Sequence, residues 1–188
     1  MTTVELIKSD FKARGVNPTL VRIIFCTLFS YSFRPLVYIR LCNDRSKICH
    51  FIRPVLIRKL KKNYHIELGC CEIGPYFRLP HPYGIIIAAK SIGENVIIGQ
   101  YVTLGGNNCK ERQDSNGEII HTPVIGNNCQ ISAGSVVAGP IFIGDNVIIG
   151  ANSTITKDVA SGTLIYNSTG ASRHSYIVPG WKGAFHTV

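Results

Sequence analysis

The chain has 188 residues, 45% of them apolar and only 16% charged, which suits a packed core and excludes a disordered chain or a coiled coil. Seven cysteines (Cys26, Cys42, Cys49, Cys70, Cys71, Cys109 and Cys129) form no CxxC pair, and no stretch has signal-peptide form. They read as reduced thiols, and the expected localisation is cytoplasmic, with peripheral contact at the inner face of the membrane. All of the net +9 charge lies early: residues 1–64 carry 13 Lys/Arg against Glu5, Asp10 and Asp44, and the remainder is close to neutral.

In chain order, the first third reads as short helices. Thr2 and Glu5 fit a capping box, Val4, Ile7 and Phe11 share a helical face, and Gly15 and Pro18 end the run. A second helix is expected from about Leu20 to Tyr31, apolar almost all round. Pro35 opens a third, ending near Cys42, and Pro54 starts or kinks a fourth with a basic tail, Arg58 to Lys62. The uncharged run from Ile23 to Phe33 is too short to cross a bilayer, and with the +10 charge around it suggests a membrane-surface segment. The basic residues lack the interleaved aromatic or Gly-rich motifs of a nucleic-acid fold.

From residue 66 the pattern changes to aliphatic residues at intervals of six: Ile86, Ile92, Ile98, Leu104, then Ile125, Ile131, Val137, Ile143, Ile149 and Ile155. Most are followed by Gly, Ala or Ser, and Val96, Val102, Cys129, Ser135, Ile141, Val147 and Ser153 form a second inward set two residues before. Period six fits neither a helix nor a simple hairpin sheet. It fits a solenoid of short parallel strands, three edges to a coil, with a small residue where each corner turns. Two breaks interrupt the frame, one at Pro80 to Gly84 and a long polar one after Leu104, and they carry His81 and His121. The expected organisation is a basic α-helical region over 1–64, the solenoid over 65–170 with a protruding loop at 106–123, and a tail over 171–188.

The blocks Ile73-Gly74, Leu79-Pro80-His81-Pro82-Tyr83-Gly84-Ile85, Val102 to Gly106, His121 to Gly126, Ile149-Gly150-Ala151 and Thr156-Lys157-Asp158 resemble the hexapeptide acyltransferases, within them the serine-acetyltransferase-like group. The resemblance implies a left-handed parallel β-helix and an acetyl-CoA-dependent O-acetyltransferase acting as a homotrimer, with sites between adjacent β-helices. It implies that His81 is the general base, since an alcohol of pKa about 16 attacks a thioester only as its proton is taken. It points to Glu67, one place past the family's carboxylate position at Ile66, as the partner of that base. His121 matches a second histidine, which reaches the acceptor from the neighbouring chain. Gly105, Gly106, Ala133, Ala151, Thr156 and Lys157 match the acetyl-CoA site, although for the glycines corner-turning is an equal reading. No metal is implied. Zinc carbonic anhydrases of the same fold need three interfacial histidines, and only His81 and His121 lie within the repeats.

Two departures bear on the acceptor. Pro80 and Ile120 stand where serine acetyltransferases carry the Asp and Arg that grip a zwitterion. With the short basic, apolar leader, this makes a hydroxyl of a surface-polysaccharide sugar the expected acceptor, and serine, as in cysteine biosynthesis, the alternative.

Overall fold

A computed structural model describes residues 1–44, 46–108, 110–114, 117–167 and 173–177. Four helices precede the strands: α1 (Thr3–Lys12), α2 (Leu20–Phe29), α3 (Arg34–Asn43) and α4 (Lys47–Tyr64). The capping box forms as expected. Thr2 N–H donates to Glu5 Oε2 at 2.7 Å and Glu5 N–H donates to Thr2 Oγ1 at 3.3 Å. Of the two readings of Pro54, as the start of the fourth helix or a residue within it, the second holds: α4 begins at Lys47, because the Ser46 hydroxyl accepts the Cys49 N–H and caps it there.

The strands stack as five coils with three faces. The first face holds β1 (Glu67–Leu68), β3 (Ile86–Ile87), β6 (Thr103–Gly105), β11 (Val136–Ala138) and β14 (Thr154–Ile155). The second holds β2 (Glu72–Ile73), β4 (Ser91–Ile92), β9 (Val124–Ile125) and β12 (Phe142–Ile143). The third holds β5 (Ile97–Ile98), β10 (Gln130–Ile131), β13 (Ile148–Ile149) and β15 (Thr163–Asn167). All neighbouring strands within these stacks are parallel. Within the stretch expected as a C-terminal tail, β16 (Arg173–Ile177) returns antiparallel on β15 at the end of the third face. The other tail residues, 171, 172 and 178–188, lie outside the described residues.

The inward ladders form with one correction. Ile92, Ile98, Leu104, Ile125, Ile131, Val137, Ile143, Ile149 and Ile155 are buried, as is the whole second set from Val96 to Ser153. Ile86, however, faces outward, and Ile87 takes the inward place opposite Leu104. The Pro80–Gly84 break inserts two residues between Leu79 and that rung, and the next edge, from Ile87 to Ile92, is one residue short.

The glycines beside the rungs do not turn the corners. That role falls to left-handed residues such as Asn95, Asn128 and Asn146, at φ 55, 54 and 57, whose short polar side chains tolerate this region. Gly74, Gly99 and Gly126 are small because coils stack closely. A Cβ on them would lie 2.6–2.7 Å from an atom of the next coil: Gly93 O, Ala133 N and Asp145 Oδ1.

The helical layer is fastened to the first coil by one buried ion pair. Arg40 Nε and Nη2 donate to Asp10 Oδ2 and Oδ1 at 2.7 and 2.8 Å, and its Nη1 and Nη2 also donate to the carbonyls of Ile73 and Gly74, both at 2.6 Å. Asp10 Oδ1 further accepts the Phe77 N–H at 2.8 Å. Burial pushes the Asp10 carboxyl up, and Arg40 and the Phe77 amide pull it back. Removing one partner leaves the other charge buried without compensation. Asp10→Ala is therefore expected to cost about 3–5 kcal/mol in urea unfolding, and Asp10→Leu with Arg40→Met to recover most of it.

Candidate active site at the coil corners

His81 lies between Arg78, which bridges to Ile97 on the third face, and β3 on the first, so it occupies the corner joining third face to first. Its ring is exposed and takes part in no hydrogen bond among the described residues. The backbone around it is held firmly. Tyr83 N–H donates to the His81 carbonyl at 2.9 Å, and Gly84 N–H donates to the Tyr64 carbonyl at the end of α4, also at 2.9 Å. Gly84 sits at φ 66, and a Cβ there would meet the Tyr101 ring at 2.5 Å. The Tyr83 ring stands edge-on between those of His65 and Tyr101, with centroids 5.0 and 5.7 Å away.

The helical layer also walls this corner. Phe29, Ser30, Tyr31 and Ser32, from the end of α2 and the α2–α3 link, line one pocket with Pro80, His81, Pro82 and Tyr83. Sequence reasoning missed this wall, because nothing local in Phe29–Ser32 says that it lies against residues fifty positions away.

Above His81 the same corner carries Tyr101, then Ala133, then Ala151, one coil apart. The backbone ties them: Tyr101 N–H to the Tyr83 carbonyl at 3.0 Å, Gly134 N–H to Gln100 at 2.9 Å, and Asn152 N–H to Ala133 at 2.9 Å. Strand spacing makes this column about 14 Å tall. Two of the predicted donor-site residues, Ala133 and Ala151, thus share an edge with His81.

Gly105, Gly106, His121, Thr156 and Lys157 lie at a different edge, where the first face turns into the second. His121 is exposed, at the foot of the polar loop; its carbonyl is the one atom near a Cβ built on Gly106, at 3.4 Å. Thr156 and Lys157 are exposed two coils above. Gly105 is unlike the stacking glycines, since a Cβ on it meets nothing within 4 Å. Neither a positive φ nor coil stacking therefore requires glycine there, and the outer surface beside it is open.

Among the described residues Glu67 has no hydrogen bond to His81. Its register in β1 points it outward while Ile66, at the family's carboxylate position, is buried, and its carboxylate pairs with Lys61 Nζ at 2.9 Å. Ile120 is also buried, 1% exposed, so that position holds core rather than facing an acceptor. The buried thiols of Cys42, Cys71 and Cys129 are pushed up by burial to about 11, 12 and 11, poorly suited to act as nucleophiles.

The polar loop bends back over the coils. It contains a hairpin of β7 (Arg112–Gln113) and β8 (Ile119–Ile120), tied at two levels. Glu118 pairs with Lys90 at 2.8 Å, and Arg112 pairs with Asp158 at 2.6 Å while its guanidinium lies 4.8 Å from the Phe142 ring centroid. The Arg112 latch closes beside Lys157.

Comparison with known proteins agrees with this architecture. Residues 122–157 match the family model for bacterial transferase hexapeptide repeats. The chain carries bacterial transferase hexapeptide repeats over residues 122–157. A serine acetyltransferase of Staphylococcus epidermidis is 40% identical over 100 residues, which cover 53% of this chain and 44% of that protein. The chain thus spans less than half the length of this curated relative. Among solved structures, serine acetyltransferase isoform 3 of Entamoeba histolytica in complex with cysteine superposes with a TM-score of 0.67 at 26% identity, covering 90% of this chain and 60% of that one. A serine acetyltransferase in complex with CoA gives 0.67 at 19%, covering 93% and 69%. The fold is the left-handed parallel β-helix preceded by helices. These findings overturn the expected surface-polysaccharide acceptor: relatives and structural neighbours alike are serine acetyltransferases.

Two predictions follow from this geometry. Gly99→Ala is expected to cost about 1–3 kcal/mol in urea unfolding through overpacking, while Gly105→Ala stays within about 0.5 kcal/mol of the parent. Asp158 is held below the usual carboxylate range: its partial burial pushes upward, and the Arg112 hydrogen bond with the Phe142 amide more than offsets it. A depressed acid stabilises above its ordinary pKa and loses that contribution as pH falls through the folded value. Faster hydrogen exchange over residues 110–114 is therefore expected as pH falls below about 4, beyond the intrinsic pH effect, and already at neutral pH in Asp158→Asn.

Proposed function

We propose that the chain is an acetyl-CoA-dependent O-acetyltransferase whose acceptor is the hydroxyl of serine. The observation that carries the reading is the exposed, well-anchored His81 at the foot of the Ala133–Ala151 column. The acceptor is taken from the relatives, all of that specificity among those compared.

The imidazole of His81 takes the proton from the serine hydroxyl as its oxygen attacks the thioester carbonyl. The tetrahedral intermediate then collapses, the C–S bond breaks, and the proton on His81 passes to the departing CoA thiolate. O-acetylserine and CoA leave, and the imidazole is neutral again. Small residues at Ala133 and Ala151 let the extended pantetheine arm run along the column. On the adjoining edge of the neighbouring copy, the bare outer surface at Gly105 and Gly106 admits close approach, and Lys157 offers its charge to the nucleotide phosphates.

His81 and His121 occupy different edges of the prism, on either side of the first face. One chain does not bring them together, and a homotrimer does if the third–first edge of one copy abuts the first–second edge of the next. We place the site there, with the acceptor between His81 and His121 of the partner subunit.

The test is CoA release from acetyl-CoA with L-serine as acceptor. Turnover with serine is expected, and His81→Ala is expected to lower kcat about 100-fold or more with the donor KM nearly unchanged. Glu67→Gln is expected to change kcat by less than about threefold, since its exposed pair with Lys61 is worth little and does not orient the imidazole. Absence of serine turnover, or full activity in His81→Ala, contradicts the proposal.

A further inference from the structure

Helix α2 leaves its apolar side unpartnered. Of its ten residues Ile23 alone is buried, while Leu20, Val21, Ile24, Phe25, Leu28 and Phe29 are exposed, Val21 at 78% and Phe29 at 71%. Recurring in pairs four residues apart, these six cover one half of the helix surface. A contiguous exposed apolar face of this kind marks an interaction surface.

The charge around this face is of one sign. No Asp or Glu occurs between Lys12 and Asn43, and Asp10, just before, is buried against Arg40. The apolar face also ends beside the basic end of α4. The Tyr31 hydroxyl donates to the Asn63 carbonyl at 3.5 Å, and the Tyr31 and Tyr64 rings lie 4.7 Å apart. Arg58, Lys59, Lys61 and Lys62 occupy the two turns leading to that point, all exposed, with Lys61 paired to Glu67 and the other three cations outnumbering that one carboxylate.

We propose that the outer face of α2, together with the basic end of α4, docks the chain on the surface of an anionic lipid bilayer. Apolar side chains would enter the acyl boundary while the lysines and arginines meet the headgroups. A second copy of the chain fits the same face less well, because it would bring two cationic surfaces together. The helix lies on the bilayer rather than across it. No single described helix is long and apolar enough to span, and α3, which follows α2 at a bend of 109°, buries Leu36, Val37 and Ile39 in the core. Because Phe29 to Ser32 also wall the His81 pocket, docking sets the rim of that pocket at the lipid–water boundary. The inference is independent of which acceptor the site takes.

The experiment is co-sedimentation of the full chain with vesicles of phosphatidylcholine alone or with phosphatidylglycerol, together with the solution mass of the chain. Binding to the anionic vesicles only, weakening as salt rises from 0.05 to about 0.5 M, is expected. Ile24→Glu with Phe25→Glu, and separately Arg58→Glu with Lys62→Glu, are each expected to weaken it at least tenfold, with circular dichroism unchanged. No binding, or equal binding to neutral vesicles, overturns the proposal. So does an Ile24→Glu/Phe25→Glu chain that binds vesicles as the parent does, or whose changed solution mass shows that the face joined copies of the chain. If the double variants unfold, Phe25→Ser and Lys62→Gln serve instead, and the same outcomes decide.

Discussion

Every coil of the β-helix must satisfy its backbone on the coils above and below, and this constraint arranges everything else. A strand of two residues has no stability of its own; it persists because its N–H and C=O groups are shared with neighbours in parallel register. Register then fixes which residues stack. It places Tyr83, Tyr101, Gly134 and Asn152 on one edge and Gly105 and Gly139 on another, through hydrogen bonds of 2.9–3.0 Å. The candidate chemistry is a consequence of this stacking, since His81, Ala133 and Ala151 share an edge only because their coils are aligned.

The same constraint explains where irregularity is tolerated. The excursion after Gly105 leaves at a corner and rejoins at Val124, so that Val124 still pairs with Ser91 below and Phe142 above. The coil pays no hydrogen bonds for the loop. The two extra residues at Pro80–Gly84 are likewise absorbed at a corner, where they lift His81 out of the stack. The open end of the solenoid is closed differently, by the helical layer that Asp10 and Arg40 fasten to the carbonyls of Ile73 and Gly74. That layer gives the His81 corner a wall made by Phe29 to Ser32, so stability at the first coil and shape at the pocket rest on the same contact.

Much of this was legible in the residues. A hexad of aliphatic positions has one physical solution, and both inward sets are buried with Ile86 as the exception. Helix starts were legible where a hydroxyl caps them, as at Thr2, and left open at α4, where Pro54 was read as starting or kinking the helix and Ser46 caps it. The pairing of Glu67 with Lys61 was not legible. Whether a carboxylate one place from the expected position reaches the imidazole depends on strand register, and the break at Pro80 alters that register. Nor was the role of the glycines. Gly99 and Gly105 look alike in sequence, and only the distance from a virtual Cβ to the next coil separates a stacking glycine from one beside an open surface. The acceptor was misjudged because the missing charges at Pro80 and Ile120 were weighed above the likeness to serine acetyltransferases, which the relatives and structural neighbours share.

The central claim is that the site is shared between copies, with His81 on one edge and His121 on another. Its most direct test mixes His81→Ala with His121→Ala, each expected to lose nearly all activity on its own, by co-refolding or co-expression at equal ratio, and measures serine-dependent CoA release. Random assembly restores one intact pairing in about a quarter of the interfaces, so activity near a quarter of the parent's is expected. A mixture no more active than the two variants measured separately would contradict the account.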